Sequence, residues 1–272
     1  MGMDSLEIIN KELKLSRITH ALFDFDGTVS LIREGWQKIM VGMMVNELLK
    51  TPKHGEKEEV EHAVTEYVNE LTGKQTMYQM LRFVEEIKKR GSEAKNALEY
   101  KREYLQLIRE HTKSRLENLK IASVDPDEYM VRGSRSFLTS LKERNISCYL
   151  ASGTDEPFVV EEARLLRIDS LFKEIWGAQD AYLTFSKKIA IERILKEANI
   201  SGENLVVFGD GYVEMQEAKA HGAVAVGIAS NETIRKGVNS WKRERLIKAG
   251  ADVIIADFAS TDALVSFLFS VS

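Results

Sequence analysis

The sequence is poor in cysteine and has no long apolar run. Its single cysteine, Cys148, cannot form an intrachain disulfide. A reducing, cytoplasmic location is therefore the simplest expectation. The first residues have no basic stretch followed by an apolar segment, so we expect no signal peptide. No apolar run is long enough to cross a bilayer, which predicts no membrane partner.

An excess of positive charge is also absent. The 38 Lys and Arg residues are outnumbered by 42 Asp and Glu residues, and the formal net charge is -4. This balance gives no electrostatic reason to expect a nucleic-acid partner. Hydrophobic residues make up 44% of the chain and charged residues 29%, proportions that are typical of a folded globular protein. A length of 272 residues suits a core domain with a smaller second domain.

Short apolar runs alternate with helical patterns in much of the chain. The runs are rich in β-branched and aromatic residues, and they span 18–25, 146–151, 171–176, 205–208, 223–228 and 253–255. Helical patterns lie between the later runs, at 188–198, 213–221 and 241–249. Strands that alternate with helices predict an α/β fold with a Rossmann-like parallel sheet covered on both faces.

The segment 31–128 has a different pattern. It contains almost no strand-like run, and apolar residues such as Tyr104 and Ile108 recur at helical spacing. We therefore predict an inserted α-helical cap domain at 31–128, with the α/β core formed by 1–30 and 129–272.

A pair of aspartates follows the first predicted core strand. Asp24 and Asp26 belong to the motif Asp-Phe-Asp-Gly-Thr, and residues two apart on a strand point to the same side. Ligands bind at the carboxyl ends of parallel strands. Two adjacent carboxylates repel each other, and a hard, oxygen-seeking ion such as Mg²⁺ would relieve that repulsion. For this pair alone, an ordinary turn after the strand is the alternative interpretation.

A Ser-Gly-Thr motif follows the next core strand. Ser152, Gly153 and Thr154 place a hydroxyl at a strand end and before a helix, an arrangement that suits an anion. A plain helix N-cap is the alternative interpretation.

Two further segments carry charged residues at helix starts. Lys187 and Lys188 oppose the dipole of the helix they begin, which suggests an anionic partner, although a solvated pair is common. Asp210 follows an apolar strand, and Glu214 lies one helical turn later, so their carboxylates can face one site. A turn followed by an exposed acidic helix start is the alternative interpretation of Asp210 and Glu214.

In this order, the four motifs resemble those of the haloacid dehalogenase-like (HAD) superfamily, over roughly residues 15–30 and 130–257. The resemblance implies the phosphatase branch, with Mg²⁺ as cofactor and a helical cap after the first strand. It implies Asp24 as the nucleophile, Asp26 as the general acid and base, and Ser152 as the phosphate-binding hydroxyl. Lys187 would be the lysine that neutralises the phosphate charge, with Lys188 as its rival.

The resemblance also implies how the metal and the substrate are held. Asp24, Asp210 and the backbone carbonyl of Asp26 would bind the metal, with Glu214 as a further acid there. Gly153, Thr154 and Arg33 are expected to contact the substrate, Arg33 because it is the predicted cap residue nearest in sequence to the nucleophile.

These features predict a phosphoric monoester hydrolase that acts on a small phosphorylated metabolite, such as a sugar phosphate or a phosphoglycolate-like compound. Asp26 favours phosphoryl transfer, because dehalogenase and phosphonatase relatives lack an acid at this position. A sugar-phosphate mutase of the same superfamily would share the core motifs. A non-enzymatic binding module is a second alternative, although such a protein would be expected to have lost a carboxylate or the lysine. The sequence leaves open the physiological substrate, the oligomeric state and the cap residues that touch substrate.

Overall fold

A computed structural model of the chain describes residues 6–269. The first five residues, on which part of the signal-peptide expectation depends, lie outside this range. The chain divides into two compact units. One combines the segment up to Glu34 with the segment from Arg115 onward, and the other is Gly35–Ser114.

The compact helical unit is shorter than the predicted cap. Arg115 donates hydrogen bonds to the carbonyl oxygens of Ile32 at 2.6 Å and Glu34 at 3.1 Å. Leu119 is buried in the core of the α/β unit. The segments on either side of the helical unit therefore belong to the α/β unit.

The α/β unit is built on a seven-stranded sheet. Its strands are β1 (Glu7–Ile8), β2 (His20–Phe23), β3 (Ser147–Asp155), β4 (Glu174–Ala178), β5 (Leu205–Gly209), β6 (Val224–Ile228) and β7 (Val253–Ile255). Their order across the sheet is β1-β7-β6-β5-β2-β3-β4. All neighbouring pairs are parallel except β1 and β7. The six predicted apolar runs match the six parallel strands, so the Rossmann-like α/β fold is confirmed.

Strand side chains alternate between two apolar cores. Phe23 and Phe208 lie in one core, where their rings stack with centroids 4.5 Å apart. Leu22 and Val207 lie in the other core. The alternation follows from the two-residue period of a strand. Because both faces are buried, these strands are apolar without interruption.

The helical unit has an apolar core of its own. Its helices are α1 (Trp36–Leu48), α2 (Lys57–Glu70), α3 (Thr76–Lys89) and α4 (Ala97–Lys120), whose last residues belong to the α/β unit. Met44, Val64, Met80 and Phe83 are fully buried among these helices. Met40, Met44 and Met80 lie in this core, so they serve helix packing.

The remaining helices flank the sheet. They are α5 (Ser134–Glu143), α6 (Glu156–Leu165), α7 (Lys187–Ala198), α8 (Tyr212–Ala220), α9 (Ser240–Lys248) and α10 (Thr261–Phe269). α7 begins where Ser186 Oγ accepts a hydrogen bond from the amide of Ile189 at 3.2 Å, and it ends at Asn199 with a φ of 52°. α7, α8 and α9 lie within one residue of the predicted helices. Among the described residues, no helix combines the length and apolar character needed to span a bilayer.

Candidate active site

The site begins at a tight turn after β2. The carbonyl oxygen of Phe25 accepts a hydrogen bond from the amide of Ser30 at 2.8 Å. Gly27 has a φ of 78°, a conformation that favours glycine. β2 lies between β3 and β5 in the sheet. The turn therefore leaves Asp24 and Asp26 at the carboxyl edge of the sheet, between two neighbouring strands.

Asp24 is paired with a buried lysine. Lys187 donates hydrogen bonds to Asp24 Oδ1 and to the carbonyl of Ala151, and its Nζ lies 2.9 Å from Glu214 Oε1. Burial raises the pKa of Asp24 well above its usual range; Lys187 opposes this shift, and Glu214 and Asp210 add to it. Burial alone would lower the pKa of Lys187, but Asp24 and Glu214 raise it overall. The lysine therefore stays charged beside Asp24.

The two lysines at the start of α7 have different environments. Lys187 is 5% exposed, whereas the Lys188 side chain is 58% exposed and lies 3.7 Å from Glu192. The geometry therefore favours Lys187 for the charge-neutralising role. Glu214 is fully buried against Lys187, and its predicted role at the metal stays a prediction.

The Ser-Gly-Thr segment lies at the end of β3 and contacts the second aspartate. Thr154 Oγ1 donates to Asp26 Oδ2 at 2.8 Å, and Ser152 Oγ lies 3.4 Å from the same oxygen. Gly153 lies in the stretch where the pairing of β3 with β4 becomes irregular. Burial raises the pKa of Asp26, whereas Arg33 and the Thr154 hydroxyl oppose the shift. The predicted phosphate-binding hydroxyl and the predicted general acid are thus neighbours.

Arg33 belongs to the α/β unit and is anchored on α6. Its Nη2 and Nε donate to Glu162 Oε1 at 2.7 Å and 3.0 Å, and Nε lies 3.9 Å from Asp26 Oδ1. Burial raises the pKa of Glu162 to about 7, although Arg33 opposes the shift. Glu162 was not predicted from the sequence. Its signal is helical spacing, because Glu162 follows the buried Val159 by three residues and precedes the buried Leu166 by four.

Asp210 has a lysine partner, which was not predicted from the sequence either. Lys242, in the first turn of α9, donates to Asp210 Oδ2 at 2.6 Å and to Glu232 Oε1 at 2.5 Å. Burial alone would lower the pKa of Lys242, but the two carboxylates raise it overall. Burial raises the pKa of Glu232, and Lys242 opposes that shift. The run Trp-Lys-Arg-Glu-Arg gives no sign in the sequence that its lysine is buried.

Carboxylates outnumber cations at this site. The linked charged residues, in chain order, are Asp24, Asp26, Arg33, Glu162, Lys187, Asp210, Glu214, Glu232 and Lys242. Six carboxylates minus three cations leaves three negative charges when all are ionised. Hard oxygen donors with excess negative charge suit Mg²⁺.

Gly27 brings the metal-ligand candidates together. A Cβ at this position would lie 2.3 Å from Asp210 Oδ2, so only glycine lets the Asp210 carboxylate approach the turn that carries Asp24 and Asp26. Within residues 6–269, no three His, Cys, Asp or Glu side chains form a metal cluster. The expected ligand set needs only two carboxylates and one backbone carbonyl, so the residues present fit Mg²⁺.

The substitution Lys242→Met is expected to lower the free energy of unfolding by about 3–5 kcal/mol, because it leaves two mostly buried carboxylates, 12% and 16% exposed, without their cation. Urea unfolding in the presence of a chelator measures this loss. Lys188→Met is the matched control, since its exposed side chain should change stability by no more than about 0.5 kcal/mol. Equal stabilities of the two variants would contradict the assigned role of Lys242.

A cavity of about 360 Å³ opens near the Lys242 side of the site. Its wall includes Ser230 and Glu232, and Ser230 Oγ donates to the carbonyl of Gly27 at 2.9 Å. Neither Asp24 nor Asp26 lines it. The cavity is therefore separate from the predicted phosphate position.

Known structures share this fold. A predicted phosphatase from Clostridium acetobutylicum superposes with a TM-score of 0.62 at 17% sequence identity, covering 92% of this chain and 100% of that one. A predicted phosphoglycolate phosphatase from Haemophilus somnus gives a TM-score of 0.60 at 16% identity, with coverages of 93% and 100%. A β-phosphoglucomutase from Clostridium difficile gives 0.54 at 16% identity, with coverages of 85% and 98%.

The sequence itself identifies the family. No protein with a curated description matches the chain. The sequence profile of the haloacid dehalogenase-like hydrolases matches residues 18–222, which is well over half of the chain and includes Asp24, Lys187 and Asp210. The prediction that the protein is a hydrolytic enzyme is thereby confirmed. The chain belongs to the haloacid dehalogenase-like hydrolase family.

Proposed function

We propose that the protein is a Mg²⁺-dependent phosphatase that hydrolyses a small phosphorylated metabolite through an aspartyl-phosphate on Asp24. The observation that carries this proposal is the buried contact between Asp24 and Lys187, beside Asp26 at the carboxyl edge of the sheet. Membership of the hydrolase family supports it. A cytoplasmic location belongs to the proposal and depends mainly on the scarcity of cysteine.

Asp24 is the proposed nucleophile. A phosphate monoester is inert and anionic, and enzymes accelerate its hydrolysis by up to ~10²¹. Lys187 holds one oxygen of Asp24, so it fixes the carboxylate and reduces its repulsion of the phosphate. The attack forms a bond between an Asp24 oxygen and phosphorus while the bond from phosphorus to the ester oxygen breaks. Ser152, whose Oγ lies 3.4 Å from Asp26 Oδ2, would donate its hydroxyl to a phosphoryl oxygen during this transfer, while Thr154 keeps its hydroxyl on Asp26.

Asp26 is the proposed general acid and base. It would give its proton to the departing ester oxygen, and it would then take a proton from the water that attacks the aspartyl-phosphate. Thr154 and Ser152 hold its Oδ2, whereas Oδ1 is buried without a hydrogen-bond partner. Burial raises the pKa of Asp26, which favours the protonated form that the first step requires.

The residues that would hold Mg²⁺ are Asp24, Asp210 and the backbone carbonyl of Asp26. Bound there, the ion would offset the repulsion between the phosphate and the attacking carboxylate. The excess of carboxylates around Gly27 supports this assignment.

Removal of divalent ions is expected to abolish turnover. Ca²⁺ should restore turnover poorly, because it binds more oxygen ligands than Mg²⁺, at longer distances and in a less regular geometry. Mg²⁺ should also raise the thermal unfolding temperature of the wild type, since it binds the folded state. Asp210→Asn should weaken that stabilisation, which calorimetry can measure without any substrate. Undiminished turnover in excess chelator would contradict the metal assignment.

The substrate class is testable by a screen of phosphorylated metabolites with Mg²⁺ and detection of free phosphate. Phosphatase activity predicts phosphate release from at least one sugar phosphate or small carboxylic-acid phosphate. An isomerised sugar phosphate without net phosphate release would favour the mutase alternative, in which the phosphoryl group returns to the substrate.

A further inference from the structure

The buried pair of Arg33 and Glu162 lies behind the proposed general acid. Arg33 is 8% exposed and Glu162 is 2% exposed. The contact has two points, because Nε and Nη2 of Arg33 both donate to the Glu162 carboxylate. Arg33 also packs over the ring of Phe158, with Cζ 5.6 Å from its centroid. The guanidinium is therefore fixed in position on α6.

The Arg33 atom closest to Asp26 cannot form a second strong hydrogen bond. Nε carries one hydrogen, which points to Glu162 at 3.0 Å and 3.3 Å, and Nε lies 3.9 Å from Asp26 Oδ1. Arg33 therefore attracts Oδ1 by charge without occupying it. Oδ1 is buried and has no hydrogen-bond partner among the described residues.

The two oxygens of the Asp26 carboxylate thus have different contacts, hydroxyl groups at Oδ2 and a nearby positive charge at Oδ1. Thr154 and Ser152 bind Oδ2 through hydroxyl groups, and Arg33 attracts Oδ1 across a short gap. A carboxylate held at both oxygens cannot rotate freely, yet no hydrogen bond from the described residues occupies Oδ1, the oxygen that would give or accept the proton. Proton transfer requires such fixed geometry within hydrogen-bond reach of the reacting oxygen.

We propose that Arg33 is a positioning residue that orients Asp26 for proton transfer to the leaving group, and that Glu162 sets its distance from Asp26. This inference rests on the proposed phosphatase function. It assigns Arg33 to the acid–base step rather than to substrate binding, so it predicts an effect on turnover that depends on the leaving group.

The test replaces the pair by apolar residues of comparable size, Arg33→Met with Glu162→Leu. Replacing Arg33 and Glu162 together leaves neither position with an unpaired buried charge, and Asp26 keeps its contacts with the Thr154 and Ser152 hydroxyls, so the variant should fold. Its kcat and KM are compared with those of the wild type on p-nitrophenyl phosphate and on the alkyl phosphate that the wild type hydrolyses fastest. We expect kcat on the alkyl phosphate to fall at least about tenfold more than kcat on the aryl phosphate, within the ~10²–10⁴ that acid–base assistance supplies.

Three further variants complete the design. Glu162→Gln keeps an acceptor oxygen for Arg33 and should leave the ratio of the two kcat values within about threefold of the wild type. Arg33→Lys keeps the charge but loses the two-point contact, and it should give an intermediate selective loss. This variant tests the proposal on its own if the paired variant does not fold. Combined with Asp26→Asn, the paired substitution should add no further selective loss, because both act on the same step.

The outcomes separate the proposal from its alternatives. Equal loss on both substrates would show a general structural role, and a rise in KM alone would show substrate binding; either overturns the positioning role. Selective loss that persists in full in the Asp26→Asn background would also overturn it. A wild type that releases no phosphate from any substrate would instead contradict the proposed function, and this inference with it.

Discussion

Asp24→Asn is expected to abolish phosphatase activity on every substrate, with a loss on the order of 10⁴-fold or more, as is typical when a nucleophile is removed. The amide cannot form the acyl phosphate, so the first step has no route. The loss should be the same for activated and unactivated phosphates. Steady-state phosphate release with Mg²⁺ measures it.

The substitution is conservative in shape, which allows a clean control. Lys187 keeps Glu214 as a charged neighbour at 2.9 Å, so the buried lysine is not left alone. Asp262→Asn, on the exposed side of α10, provides the matched control and should retain full activity. Retention of more than a few per cent of activity by folded Asp24→Asn would contradict the assignment of the nucleophile.

Asp26→Asn is expected to separate the substrates by their leaving groups. Asparagine keeps the backbone carbonyl and the side-chain shape, but its amide has no acidic proton to give to the leaving group. An aryl phosphate such as p-nitrophenyl phosphate departs without much protonation, whereas an alkyl phosphate needs it. The kcat on the alkyl phosphate should therefore fall much more than the kcat on the aryl phosphate, within the ~10²–10⁴-fold that general acid catalysis supplies.

A comparison of both aspartate variants on both substrates measures this difference directly. Circular dichroism and Mg²⁺-dependent thermal shifts should first show that each variant folds and binds the ion. If chemistry limits turnover, equal impairment of Asp26→Asn on the two leaving groups would remove Asp26 from the role of general acid.

The parallel sheet could be predicted because its strands are buried on both faces. Runs such as that of β5, Leu205–Gly209, are apolar without interruption, and they alternate with helices of clear periodicity. β1 could not be predicted in the same way. Glu7–Ile8 has only two residues, and its pairing with β7 depends on a long-range contact rather than on a local pattern.

The central pair of the site was predictable because its motifs occur in order at strand ends and helix starts. Asp24 and Lys187 are separated by 163 residues in the chain, and the sheet topology brings them together. The choice between Lys187 and Lys188 depends on the rotation of α7 about its axis, which the structure resolves and the sequence indicates only weakly.

Three charged residues around the central pair, Glu162, Glu232 and Lys242, could not be predicted with the same success. Glu162 stands beside Glu161 in the sequence, and only its helical phase distinguishes the buried acid from its exposed neighbour. Lys242 and Glu232 have no such signal. Their burial depends on where the segment after β6 folds relative to Asp210, a tertiary contact that no local pattern encodes.

The central claim is that Asp24 carries the phosphoryl group during turnover, and chemical trapping tests it most directly. Wild-type protein is mixed with substrate and Mg²⁺, quenched and reduced with borohydride, which converts an acyl phosphate to the alcohol. Fragmentation mass spectrometry then locates the reduced side chain and distinguishes Asp24 from Asp26. We expect substrate-dependent reduction at Asp24 alone, and none in Asp24→Asn. Active turnover with no reduced aspartate under conditions in which the intermediate accumulates, or with reduction at a different residue, would contradict the account.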